Sequence, residues 1–116
     1  MDIDEKELID SNENINTIKA YDYDKEMLKQ ELKKLKNNIY ISIDVDVFDP
    51  SFIRNTGTPE PGGFFWNDII NILKIIFKEK NIIGADIVEF APNNNFEAES
   101  FSLAKLCYKI MALSIK

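Results

Sequence analysis

Histidine is missing from all 116 residues, and cysteine occurs once, at Cys107. Without an imidazole, the chain by itself carries no Ser-His-Asp triad, no Cys-His dyad, no HExxH zinc chemistry and no side chain that shuttles protons near neutral pH. A single thiol excludes an internal disulfide and a cysteine-based zinc cage. No apolar run reaches 18 residues, so no membrane partner is expected. The start, Met-Asp-Ile-Asp-Glu-Lys, lacks the basic residues and apolar stretch of a signal peptide. A cytoplasmic chain is the expectation. Positive charge is also in short supply, with 14 Lys and Arg against 20 Asp and Glu and a net charge of −6. Residues 1–26 account for all of that imbalance, holding nine acidic side chains against three lysines. No basic face is left to neutralise phosphates, which excludes a nucleic-acid partner.

What is present reads as one domain, since a compact chain of this length has a radius of gyration of roughly 13 Å. Residues 1–21 form an acidic, polar, Asn-rich arm that reads as solvated. From Asp24 the pattern changes. Leu28, Leu32 and Leu35 recur at helical spacing, with Asp22 or Asp24 as the cap and Asn37-Asn38 as the end. Ile39–Phe48 is a β-branched, strand-like run stopped by Pro50. Residues 51–63 form a loop that contains T-G-T-P-E-P-G-G. A second helix is predicted over Trp66–Lys80, with Ile69, Ile72, Leu73, Ile76 and Phe77 as its buried stripe. Ile82–Phe90 is a second strand, closed by Ala91-Pro92 and Asn93-Asn94-Asn95. The last helix starts near Glu97, where Glu97 and Glu99 suit the helix dipole, and Ala104, Tyr108, Met111 and Ile115 are its predicted apolar face. Cys107 reads as a core residue, Phe64-Phe65-Trp66 as packing between loop and sheet, and the lysines of K-Q-E-L-K-K-L-K as a solvated face. The alternating order predicts α/β architecture with parallel strands. Strands so apolar call for cover on both faces, so the chain looks like part of a larger sheet.

The segment that carries chemistry is S-I-D-V-D-V-F-D-P, Ser42–Pro50. On a strand, alternate residues share a face. Ile41, Ile43, Val45 and Val47 would point one way, and Ser42, Asp44 and Asp46 the other. Two carboxylates stacked near a strand's C-terminal end repel each other; either one has a raised pKa or a cation sits between them. Hard divalent ions such as Mn²⁺ and Mg²⁺ prefer such oxygen ligands, and ligands of open α/β sheets bind beyond the carboxyl ends of the strands. A solvated strand end with no ligand is the alternative for a bare D-x-D.

The whole run S-I-D-V-D-V-F-D-P-S-F-I-R-N-T-G-T-P-E-P-G-G resembles the C-terminal signature of the ureohydrolases, the family of arginase, agmatinase and formimidoylglutamase. G-A-D-I-V-E-F-A-P, Gly84–Pro92, resembles that family's second block, and Ala104-Lys105-Leu106 its closing helix. The loop form T-P-E-P-G-G favours an agmatinase-like member. The resemblance implies a partial three-layer α/β/α fold with parallel strands, residues 22–116 being the C-terminal portion of the domain. It also implies a binuclear Mn²⁺ site, in which Asp44 matches the aspartate that bridges both ions and Asp46 the one that holds a single ion. Glu89 matches the acidic residue that receives the guanidinium or amine end of the substrate. Asp86 would stand behind these, Thr56-Gly57-Thr58 would shape the loop beside the ions, and Gly62-Gly63 would allow the tight approach to the next helix.

The implied reaction is hydrolysis of a linear guanidino compound, agmatine-like, to an amine and urea by water activated between the two ions. The family's histidine ligands and its histidine proton shuttle have no counterpart in this chain, which leaves two metal ligands. Arg54-Asn55 replaces a small Pro-Gly type pair, Phe65 stands where a capping Thr or Ser is common, Asp68 replaces a glutamate, and Asn95 stands where an aspartate is common. Two other readings follow from these departures. One is an inactive truncated paralogue kept as an interaction module. The other is one half of a split enzyme whose complementary N-terminal half lies on another chain. Exposed sheet edges would also favour a homo-oligomer.

Overall fold

In a computed structural model of the chain, the described residues are 13–54, 61–92 and 97–115. Most of the acidic arm, Thr56-Gly57-Thr58 and Asn93-Asn94-Asn95 lie outside them. Helix α1 spans Lys25–Lys34, strand β1 Asn38–Asp44, helix α2 Trp66–Glu79, strand β2 Asn81–Val88 and helix α3 Glu97–Ser114. The Asp24 carboxylate caps α1, accepting the backbone N–H groups of Glu26 at 2.6 Å and Met27 at 3.4 Å. Leu32 is the buried residue of that helix, while Lys33 and Lys34 face water as expected and Lys29 is half-buried.

β1 and β2 pair in parallel, as the alternating order of elements predicted. Tyr40 lies opposite Gly84, Ser42 opposite Asp86, Ile43 opposite Ile87 and Asp44 opposite Val88. The pairing passes from Ile39–Ile82 to Tyr40–Gly84, so Ile83 is an extra residue in β2. One face of the pair is aliphatic. Ile43, Val45, Phe48 and Ile53 join Ile69, Ile70, Leu73 and Phe77 of α2 and Leu103 and Leu106 of α3 in a single core. Each of these side chains contributes about 1.5–3 kcal/mol by leaving water. The other face, with Tyr40, Ser42 and Asp44, is exposed. The described residues thus build two layers of a three-layer arrangement, and the expected cover on both faces is present on one.

Helix α3 corrects an expectation. The predicted apolar face is turned outward, with Ala104 exposed, Tyr108 74% exposed, Met111 59% and Ile115 81%. Leu103 and Leu106 are buried instead, with Ile110 and Leu113 packed beside them. Both sets recur at helical spacing, so α3 has two apolar stripes and periodicity alone does not choose between them. Cys107 lies between the stripes, half-buried, at the rim of a groove of about 450 Å³ formed by β2, Phe77, Ile110 and Met111. No described helix is long and apolar enough to cross a membrane.

Candidate metal and substrate site

The expected strand Ile39–Phe48 ends earlier, at Asp44, and Val45–Val47 form a 3-10 turn. The cause is local: the Asp44 side chain accepts the backbone N–H of Asp46 at 2.9 Å, which draws the chain out of the ladder. The inward set survives this turn in burial, Ile43 being 8% exposed and Val45 fully buried. Asp44 lies exposed at the strand's end, whereas Asp46 is half-buried in the turn and no longer part of the strand.

Beyond the turn the chain is tied to the start of α2. The N–H of Phe64 donates to the Val47 carbonyl at 2.8 Å, and the N–H of Asp49 donates to the Phe64 carbonyl at 3.0 Å. Gly63 makes this approach feasible, since a Cβ there would lie 2.6 Å from the backbone nitrogen of Asp49. Gly62 has φ +83°, which a side chain would resist. The expected use of Gly62-Gly63 is therefore what the structure displays. The Asp49 carboxylate accepts the Ser51 N–H at 2.9 Å, the Ser51 hydroxyl at 2.7 Å and the Gly62 N–H at 3.0 Å. These donors, the Ser51 hydroxyl foremost, hold Asp49 below the usual carboxylate pKa. Sequence reasoning missed Asp49. The signal available was the D-x-S spacing of an Asx turn.

The substitution at Phe65 leaves half of a capping box. The Asp68 side chain accepts the Phe65 N–H at 2.9 Å, but Phe65 has no side-chain acceptor to return the bond. Phe64 packs edge-on against Tyr23, with ring centroids 5.5 Å apart, and Trp66 packs against the core, in line with the expected packing role, whereas Phe65 between them is 49% exposed.

On the open face of the sheet, Asp86 accepts the Ser42 hydroxyl at 2.6 Å and the Tyr40 hydroxyl at 2.8 Å. Both bonds lower the Asp86 pKa, that from Ser42 more, and the same contact raises the Tyr40 phenol. The Tyr40 ring lies over Gly84, where a Cβ would meet it at 2.8 Å. Two residues beyond Asp86, β2 stops at Val88, and Glu89 adopts φ +67°, exposed. A non-glycine residue in that region is uncommon and turns the chain sharply. Because Val88 pairs with Asp44, the parallel register puts Glu89 and Asp44 at the same, C-terminal end of the sheet. Glu99, expected to act on the helix dipole, is 5% exposed and accepts the Arg54 N–H at 2.8 Å, with the Arg54 Nε at 3.5 Å. It ties the loop after β1 to α3.

As a metal centre the site is partial. Two carboxylates at a strand's C-terminal end are hard oxygen donors of the kind that Mn²⁺ takes. Among the described residues, however, no group of three or more His, Cys, Asp or Glu is placed to hold an ion.

The family model described as Arginase family matches residues 1–113. Among curated proteins, the N(1)-aminopropylagmatine ureohydrolase of Thermus thermophilus is 40% identical over 86 residues, covering 74% of this chain and 29% of that one. The agmatinase of Pyrococcus horikoshii is 33% identical over 112 residues, covering 97% of this chain and 40% of the relative. Among solved structures, Helicobacter pylori arginase superposes with a TM-score of 0.80 at 19% identity, over 95% of this chain and 38% of that one, a likeness of fold. The chain thus spans about three to four tenths of the length of these proteins.

Proposed function

The chain belongs to the arginase family, and from that premise we propose that it forms the carboxylate-bearing part of a Mn²⁺-dependent ureohydrolase site. Completed by the remainder of a family-length site, it would hydrolyse a linear guanidino compound of the agmatine type to an amine and urea, in the cytoplasm. The observation that supports this most is the parallel register Asp44–Val88, which leaves Asp44, the Asp46 turn and Glu89 at one end of one sheet. Asp44 and Asp46 would hold Mn²⁺, with Asp44 oriented by its bond from the Asp46 N–H. A bound Mn²⁺ would supply Lewis acidity there, which lowers the pKa of water towards neutrality. The Glu89 carboxylate would receive the cationic guanidinium or amine of the substrate, a pairing that is charge-assisted and geometrically specific.

Calorimetry tests the metal assignment. The parent chain should take up Mn²⁺ weakly, and the Asp44→Asn/Asp46→Asn double variant should lose that uptake; equal uptake by both sinks it. Urea release from agmatine tests the rest. The chain alone with Mn²⁺ should release none, because no imidazole is available to move a proton. A polypeptide bearing the histidine-containing half should restore turnover. Asp44→Ala should then abolish it, and Glu89→Ala should chiefly raise KM. Robust turnover by the purified 116-residue chain would refute this division of labour.

The absence of histidine from the sequence, with no three-ligand group among the described residues, favours a second reading. Here the chain is an inactive paralogue that serves as an interaction module, or one half of a split enzyme. Failure of every histidine-bearing half to restore urea release would favour the inactive module, and success the split enzyme.

A further inference from the structure

We propose that Asp49 is a positioning residue for the Asp44–Asp46 carboxylate pair, fastening the two stems of the loop between Ser51 and Gly62 and thereby holding the turn that carries Asp46. The functional meaning of the pair rests on the reading above; the latch itself rests on geometry.

The first observation is the distribution of acceptors. One Asp49 oxygen serves the Ser51 stem, through the backbone N–H at 2.9 Å and the hydroxyl at 2.7 Å. The other serves the opposite stem, through the Gly62 N–H at 3.0 Å. An ionised carboxylate accepts on both oxygens, whereas an amide accepts on one. With asparagine a single acceptor oxygen remains, so the backbone N–H of Ser51 and that of Gly62 no longer each have an oxygen of their own. The acid is what offers each stem a separate acceptor.

The second observation is what the closed neck makes room for. Gly63 approaches the chain so closely that a Cβ would lie 2.6 Å from the Phe48 carbonyl carbon and 2.7 Å from the Val47 oxygen. Those are backbone atoms and cannot swing aside. The approach lets Phe64 bond to Val47 and Asp49 to Phe64, so the three residues after Asp46 are gripped by the start of α2. The third observation is continuity. Asp46 precedes Val47 directly, and its own N–H orients the Asp44 side chain at 2.9 Å. Loosening the Gly62–Phe64 stem releases Val47 first, then the turn, then the contact between the two aspartates. A carboxylate that merely closed its own Asx turn with Ser51 would have no such reach.

Amide hydrogen exchange on the whole labelled chain distinguishes the two accounts, comparing the parent with Asp49→Asn and Ser51→Ala. A charge-assisted hydrogen bond of ordinary strength predicts that Asp49→Asn speeds exchange at one neck amide, Ser51 or Gly62, by about tenfold. The latch requires the Asp46 amide to accelerate with it, while the Leu106 amide in α3 stays protected and reports an intact fold. Faster neck amides beside an unchanged Asp46 amide would overturn the proposal. Should Asp49→Asn leave Leu106 unprotected, Ser51→Ala decides, since it removes one hydroxyl donor and keeps the acid. Asp46 must then respond in step with residue 51, and an unchanged Asp46 amide overturns the latch. Mn²⁺ titration of the same samples tests the other reading separately. A parent that takes up no Mn²⁺ sinks the ion-holding role and leaves the exchange result standing.

Discussion

On the covered side of the β1–β2 pair, Ile43 shares one cluster with Leu73, Phe77, Leu103 and Leu106, whereas on the open side Tyr40 and Ser42 are joined to Asp86 by two hydrogen bonds. The covered side is non-directional and survives a change of backbone: Val45 stays buried although the strand has already given way to a turn. The open side depends on register, because Ser42 reaches Asp86 only while those two residues lie opposite each other. Packing thus fixes where the sheet sits, and hydrogen bonds fix how its polar face is arranged.

The comparison breaks most readily at Leu106, which is fully buried. Leu106→Ala should cost about 2–5 kcal/mol, the range for buried leucine truncations, read from the urea midpoint. A loss below about 1 kcal/mol would mean that α3 is not part of the core. The start of α2 is held by half of a reciprocal pair, so Phe65→Ser, which supplies the missing acceptor, should raise stability by about 1 kcal/mol in a thermal melt. Tyr108→Ser, on the outward stripe of α3, should change stability by less than about 0.5 kcal/mol in a urea titration, since that side chain is 74% exposed. The smallest effect belongs to the open side. Ser42→Ala should move the Asp86 pKa, seen by carboxyl-carbon NMR, back up towards its ordinary value of 3.8. The sign follows from a folded-state pKa that is depressed. The stabilisation is present above the ordinary value and is lost as pH falls through the lowered one, so parent and variant should differ above about pH 4 and converge in stronger acid.

The fold was legible where a single pattern had one solution. The stripe of α2 held for Ile69, Leu73 and Phe77, and the parallel pairing followed from the order of elements. It was illegible in α3, where Leu103 and Leu106 compete with Tyr108 and Met111 at the same period. Of the candidate site, Asp44 and Glu89 lie at one end of the sheet, a placement that follows from the parallel order of the strands. The placement of Asp46 was not legible, because one side-chain hydrogen bond converts its strand position into a turn. The D-x-S spacing marked the local half of the Asp49 contacts, but not its bond to Gly62. The reading of Glu99 as a dipole partner did not foresee its bond to Arg54, because both of those partners are distant in sequence and are backbone N–H groups.

Ile83, the extra residue at the start of β2, is 66% exposed and has no partner in the pairing. It acts as slack in the chain. Removing it would leave the same residues opposite each other from Tyr40–Gly84 onward, because Ile82 already pairs with Ile39 in phase. The first part of β2, ahead of Gly84, can therefore lose one residue without inverting the sheet, whereas deleting Ala85 would send Asp86 to the wrong side. Indels in this lineage should be tolerated ahead of the second signature block and purged within it.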